Sequence, residues 1–215
     1  MTAKLALAVA AAALCVAGAA QAEDFQPKAK GMIVLDVRVT DVAPTGTDPI
    51  YTAAGANTGL RAKVKYDVMP TIGVSYFLTD NFAADLTLGT TKHKIRAHGA
   101  GVDVAVKDTW VLPPTLTLQY HFAPKSKISP YVGAGVNYML FYSGSDKNGF
   151  NLKVDDGFGA ALQAGVDIAT KGRWTVNLDA KKIFFHTDAH DAAKGLKTKV
   201  TLDPWVLSAG VGYRF

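Results

Sequence analysis

The chain has 215 residues, a formal net charge of +5, 49% hydrophobic residues and a single cysteine, Cys15. So small an excess of cations, scattered along the sequence, gives no argument for a nucleic-acid surface, and one cysteine leaves no disulfide framework. With 20 glycines, one glutamate (Glu23) and no long helical periodicity, bulk measures alone would describe an ordinary soluble globule.

The N-terminus changes that description. Lys4 precedes an unbroken run of small and apolar residues from Leu5 to Ala20, and Ala20-Gln21-Ala22 fits a small-x-small cleavage site. This is the layout of a secretory signal peptide over 1–22. A membrane-spanning helix fits less well, because the run is Ala-rich, short, and lacks a basic stop signal. Cys15 follows Leu14, where a lipoprotein site would want a small residue, so it leaves with the signal. The mature chain, 23–215, has 193 residues (215 − 22), a net charge of +4 (5 − 1, for Lys4) and no thiol.

Downstream, about eight runs alternate with a period of two, as strands with two different faces do. In the first, Ile33, Leu35, Val37 and Val39 oppose Asp36, Arg38 and Thr40. Ile72, Val74, Tyr76 and Leu78 oppose Thr71, Gly73 and Ser75 in the second, and Phe82, Ala84, Leu86 and Leu88 oppose Asp85, Thr87 and Gly89 in the third. The fourth sets Leu112, Leu116, Leu118 and Tyr120 against Thr115, Thr117, Gln119 and His121. Val132, Ala134, Val136 and Tyr138 face away from Gly133, Gly135 and Asn137, and Phe158, Leu162 and Val166 from Gly159, Gln163 and Asp167. Trp174, Val176, Leu178 and Ala180 oppose Thr175, Asn177, Asp179 and Lys181, and the chain ends with Trp205, Leu207, Ala209, Val211, Tyr213 and Phe215 opposing Val206, Ser208, Gly210, Gly212 and Arg214.

The connections alternate as well. Short turns such as Thr79-Asp80-Asn81 and Thr170-Lys171-Gly172 contrast with long links near 41–69, 90–110, 143–156 and 186–203. Short turns at one end and long loops at the other, around an even number of strands, predict an all-β, eight-stranded, antiparallel up-and-down transmembrane β-barrel. A soluble lipocalin-like barrel also has eight strands, but it would pack Trp, Tyr, Phe and Leu from every strand into one narrow lumen. Turning the bulky face to lipid is favoured by roughly 30 cal/mol per Å² of apolar surface removed from water, and closure leaves no sheet edge in hydrocarbon. Aromatics support two interfacial girdles. Tyr76, Phe82, Tyr120, Phe122, Tyr131, Trp174, Tyr213 and Phe215 gather at the short-turn end, and Trp110, Tyr138, Phe184 and Trp205 at the long-loop end.

LPPTLTLQYHF (112–122), PYVGAGVNYMLF (130–141), GFGAALQAGVD (157–167) and LDPWVLSAGVGYRF (202–215) resemble the outer membrane protein W (OmpW) family, as does HKIRAHG (93–99). The resemblance covers essentially the whole mature chain. It implies a Gram-negative outer-membrane barrel, both termini periplasmic, surrounded by outer-membrane lipid and lipopolysaccharide. It further implies uptake of small hydrophobic solutes through a narrow, mostly blocked lumen, and a terminal Phe215 read by the outer-membrane assembly machinery. No cofactor is implied.

Eight strands enclose just enough room for side chains. The inward residues toward the short-turn end and the middle, among them Asp36, Asp85, Thr87, His121, Asp179, Lys181 and Arg214, form either a plug of paired charges or a gated ion path. Nearer the long loops the inward set turns apolar, with Pro113, Met139, Phe141, Ile183, Phe185 and Val206. This cup either holds a small apolar molecule, released sideways into the bilayer above the plug, or is packed shut by the loops. Thr87 and Lys181 at mid-depth argue against a hydrophobic gate. Lys182 falls on the lipid face, so either it snorkels or a bulge shifts the register and turns Ile183 and Phe185 outward; snorkelling is the simpler choice.

Other chemistry has less support. His93 with His98, and His186 with His190 beside Asp188 and Asp191, read as solvated loop residues rather than metal ligands. His121 has no serine on its own strand face and Ser208 approaches it only across the barrel, so the chain is read as not an enzyme. A structural or adhesive barrel, or a phage or toxin receptor working through its loops, is the remaining alternative; the long first loop, with Gly46, Gly55 and Gly59, has the flexibility for it.

Overall fold

The computed structural model describes residues 25–99, 101–192 and 194–215; the expected signal segment, with Cys15, lies outside the described residues. Fifteen strand segments occur: β1 (Ile33–Ala43), β2 (Thr47–Thr52), β3 (Asn57–Val64), β4 (Asp67–Phe77), β5 (Phe82–Gly89), β6 (Thr91–Gly99), β7 (Val102–Leu112), β8 (Thr115–His121), β9 (Ile128–Asp146), β10 (Leu152–Val154), β11 (Gly157–Ala169), β12 (Trp174–Phe184), β13 (His186–Asp191), β14 (Leu196–Thr201) and β15 (Trp205–Arg214).

Eight of them close a barrel. β1 pairs with β4, β4 with β5, β5 with β8, β8 with β9, β9 with β11, β11 with β12, β12 with β15, and β15 with β1. The seam between first and last strands runs unbroken from Val34↔Arg214 to Ala43↔Trp205, so no edge remains open. The expected alternation sets the faces. Val37, Ile72, Leu86, Leu118, Val136 and Leu162 are exposed on the outside, while Asp36, Ser75, Asp85, Gln119, Asn137 and Gln163 are buried inside. So large an apolar exterior belongs against lipid.

The long links are not irregular loops. β2, β3, β6, β7, the last part of β9, β10, β13 and β14 carry the wall beyond the barrel in the order β10-β13-β14-β2-β3-β6-β7-β9. The flexible first loop expected from its glycines is a β2–β3 hairpin, in which Gly55 at the turn and Gly59 within β3 adopt φ of +90° and +76°. Inside this upper ring the polarity is reversed: Ile50, Ala62, Ile95, Val106, Leu152 and Val200 form an apolar core. The open side between β9 and β10 is closed by side chains, with Lys107 Nζ donating to the Leu152 carbonyl and Leu152 N donating to Asp146 Oδ1.

Two local expectations change. Tyr131 is not a girdle residue: it lies one position from the outward Val132, and its ring is buried in the lumen. At Lys182 the ladders run without a shift through Leu162↔Lys182 and Lys182↔Trp205, so snorkelling holds and Ile183 and Phe185 stay inside. The Lys182 ammonium donates to the Asp203 carbonyl and lies 5.4 Å from the Trp205 ring centroid, both at the upper rim.

Candidate functional site

The lumen of the lower barrel is an ionic plug. Four buried cations, Lys28, Arg38, Lys181 and Arg214, share it with four buried aspartates, Asp36, Asp85, Asp167 and Asp179. Charges removed from water must be matched in this way, because a lone one costs several kcal/mol. The matching is done in linked groups. Lys28 Nζ donates to Asp167 Oδ2 at 2.6 Å, Ser129 Oγ at 3.0 Å and His121 Nδ1 at 2.8 Å. Lysine has only donors, so His121 accepts at Nδ1 and its Nε2–H donates to Gln119 Oε1 at 3.0 Å. Asn177 Nδ2 donates to both Asp167 Oδ1 and the Tyr131 hydroxyl, at 2.7 and 2.9 Å, joining this group to the next.

There, Tyr131, Gln163 and Lys181 all donate to the Asp179 carboxylate, at 2.6–2.7 Å. On the β1–β4–β5 side, Arg38 Nη2 donates to Asp36 Oδ2 at 2.9 Å and lies 3.5 Å from Asp85 Oδ1. Ser75 and Thr87 donate to Asp85 as well. Glycines make room for this cluster: a Cβ on Gly73 would stand 2.7 Å from Arg38 Nη2, and one on Gly212 2.2 Å from Asp36 Oδ1, so either side chain would have to shift. Arg214 closes the short-turn end by donating to the Gln26 carbonyl, while Thr175 Oγ1 lies 3.4 Å away.

All seven residues expected in the plug are buried, and His121, Asp36, Asp85, Asp179, Lys181 and Thr87 have the partners described. Lys28 was missed, because it lies ahead of the first strand, where periodicity carries no information. Arg38 stood on the inward face but was not assigned to the plug. Tyr131 was legible from its own strand's parity. Ser208 bonds Thr40 at 2.9 Å while His121 is held by Lys28 and Gln119, so no Ser–His pair forms.

Above a layer of Thr40, Thr71, Thr87, Thr115 and Lys181, the lumen turns apolar and holds a small cavity of about 30 Å³. Pro113, Met139, Ile183 and Val206 line it, together with Val42, Met69, Val111 and Leu202. Phe185 is buried beyond it against Gly157 and Gly159, and Phe141 packs 6.4 Å from Phe185, so these two sit apart from the other four cup residues. His93, expected in a solvated loop, is instead buried on β6 and lines the cavity, its Nδ1 2.8 Å from the Lys65 carbonyl; burial holds its pKa below the ordinary imidazole range, against the opposing pull of that bond and of Asp67.

The wall beside this cavity is interrupted. Between Thr87↔Thr115 and Thr91↔Val111 no ladder pair joins the two barrel strands among the described residues, leaving Leu88–Thr90 beside Leu112–Pro114. Neither Pro113 nor Pro114 has an N–H to donate there.

A sequence profile of the OmpW family matches residues 29–215, essentially the whole barrel. The chain belongs to the OmpW family. Over 152 residues it is 51% identical to the uncharacterized outer-membrane protein y4mB of Sinorhizobium fredii (strain NBRC 101917 / NGR234), covering 69% of this chain and 66% of that one. It is 38% identical over 155 residues to outer membrane protein W of Escherichia coli (strain K12), covering 66% and 70% of the two chains. A further relative, the dibenzothiophene metabolism operon protein PahQ of Pseudomonas aeruginosa, is 27% identical over 184 residues, 83% of this chain and 86% of its own. Among solved structures, OprG of Pseudomonas aeruginosa superposes with a TM-score of 0.82 at 27% identity over 89% of this chain and 99% of that one. AlkL, solved by solid-state NMR in lipid bilayers, gives 0.66 at 25% identity over 92% and 94%. As an OmpW-family barrel, the protein resides in a Gram-negative outer membrane.

Proposed function

We propose that the barrel takes up small hydrophobic molecules, admitting them at the long-loop end, holding them in the apolar cup above the plug, and releasing them sideways into the bilayer. The long-loop end faces the cell exterior in this reading, and both termini lie in the periplasm. The observation that carries it is the coincidence of level. The lumen changes from ionic to apolar at the Thr40–Thr87–Lys181 layer, and the wall loses its ladder at Leu88–Thr90 just beside it. An apolar solute above that layer meets eight desolvated charges below and an unlatched strand pair at its side. Parting those paired charges to let it pass is the more costly route.

A cavity of about 30 Å³ holds roughly one water, so a solute enters only by displacing side chains. Met69 and Met139, unbranched and adaptable, line it and can yield. The name of PahQ, an operon protein of dibenzothiophene metabolism, supports an apolar aromatic cargo. The deciding measurement compares entry of a small apolar compound into cells with the protein, without it, and with Met139→Arg. Faster entry that the substitution abolishes supports the reading; equal entry in all three would leave the structural or adhesive barrel as the function.

A further inference from the structure

The outer surface of the upper ring carries a charge arrangement that neither plug nor cup uses. Arg61 and Lys63 on β3, Lys65 just after it, and Lys92, Lys94 and Arg96 on β6 all point away from the apolar core. The register sets Lys63 opposite Arg96 and Arg61 opposite His98, and Lys65 N bonds the Lys94 carbonyl, so two more cations lie side by side. Like charges directly opposite on a ladder destabilise it. Acidic relief is partial: Arg96 Nε donates to Asp103 at 2.7 Å and Asp108 of β7 stands opposite Lys94, while Lys63, Lys65 and Lys94 have no ion pair among the described residues.

The far side of the ring is built differently. On β13 and β14, Lys199 stands opposite Asp188 and Lys197 opposite His190, and Asp48 of β2 accepts from Thr201. That face carries three lysines, Lys153, Lys197 and Lys199, against the six cations of the β3–β6 face. The β3–β6 face is the denser in cations, and it contains an open groove of about 430 Å³ lined by Lys63, Lys65, Arg96 and His98 with Asp103 as its one carboxylate.

Height above the lipid then selects the anion. Leu88 is the last exposed leucine on this strand path. At about 3.3 Å per residue, Lys92 lies roughly 13 Å and Arg96 roughly 26 Å of strand beyond it. Trp110 and Tyr66 are exposed near the same rim, with Lys92 Nζ 5.6 Å from the Trp110 ring centroid. Aromatic rings mark the membrane interface, and cations just outside it meet headgroup phosphates.

We propose that this face binds the phosphorylated headgroup of the outer-leaflet glycolipid, lipopolysaccharide. Lys63, Lys65 and Lys94 pair with its phosphates, and Tyr66 and Trp110 pack against the acyl chains beneath. The assignment rests on the sidedness proposed above, with the long-loop end at the cell exterior. It is tested on detergent-solubilised full-length protein, where neither sidedness nor uptake enters the result. Lipopolysaccharide-free protein is titrated with lipopolysaccharide, with phosphate-stripped lipopolysaccharide and with inorganic phosphate, and bound glycolipid per barrel is measured. K63Q/K65Q/K94Q is compared with K153Q/K197Q/K199Q, which removes the same charge from the opposite side. A heat-dependent shift in gel mobility confirms that each barrel is closed.

Loss of glycolipid affinity by at least about tenfold is expected for the first triple variant only, together with weak binding of the stripped glycolipid to every protein. Unchanged affinity in that variant, an equal loss in the opposite-face control, or equally tight inorganic phosphate would each overturn the assignment.

Discussion

The lower barrel and the upper ring share strands, yet their polarities are opposite. Along β12, Thr175, Asn177, Asp179 and Lys181 point inward while Trp174, Leu178 and Ala180 point out; past Lys182 the inward positions become Ile183, Phe185 and Ala189, and the outward ones His186, Asp188 and His190. The alternation never slips. What changes at Lys182 is the solvent outside the wall, lipid below and water above, and the side chains exchange faces accordingly. A β-wall therefore reports its surroundings through which face is greasy, and the level of the exchange marks the edge of the membrane.

That contrast can be broken from either half. The largest effect is expected for Lys28→Ala, which leaves the buried Asp167 without its cation: about 3–5 kcal/mol of stability is lost in urea unfolding from lipid vesicles. K28M/D167N, which removes both charges, should recover most of it. Next, Leu118→Arg in the lipid-facing band should cost about 2–4 kcal/mol in the same assay. The reverse exchange in the ring, Lys94→Leu, should stay within about 0.5 kcal/mol, because its outer face meets water.

A smaller, pH-dependent difference should appear in the ring. His93 is buried with its folded pKa lowered from 6.5, so the unfolded chain binds the proton first. Its contribution to stability is complete above the unfolded value and is lost as pH falls below it. Amide exchange in β6 should therefore accelerate as pH drops from 7 to 5, after correction for intrinsic rates, and His93→Gln should remove the change. Lys182→Met should likewise do little: with the ammonium already at the rim, stability should move by less than about 1 kcal/mol. A loss of several kcal/mol would show that its bond to the Asp203 carbonyl pins the two halves together.

The lower barrel was legible in the sequence because both partitions, apolar out and polar in, are sustained over seven to thirteen residues. The ring was not, though its alternation is present: in KHKIRAHG, His93, Ile95 and Ala97 point inward and Lys92, Lys94 and Arg96 outward. Short strands with lysines on one face and glycines at their ends have the composition of loops, and only pairing partners distant in sequence reveal them. Pro113, Met139, Ile183 and Val206 were readable as a group by depth, whereas the separation of Phe141 and Phe185 depends on how the ring packs. Nothing local could have placed Lys28, whose position is set by Lys28 N bonding Pro124 O and Gln26 N bonding Gly172 O at the barrel's short-turn end.

The position of Lys28, ahead of the first strand, has an electrostatic consequence. Without that residue in the bore, three cations face four aspartates, and Lys28 supplies the balance. Trimming the mature N-terminus beyond residue 28 would thus produce a barrel that zips shut yet keeps an acidic, hydrated throat, electrically unlike the finished protein even though every strand is in place.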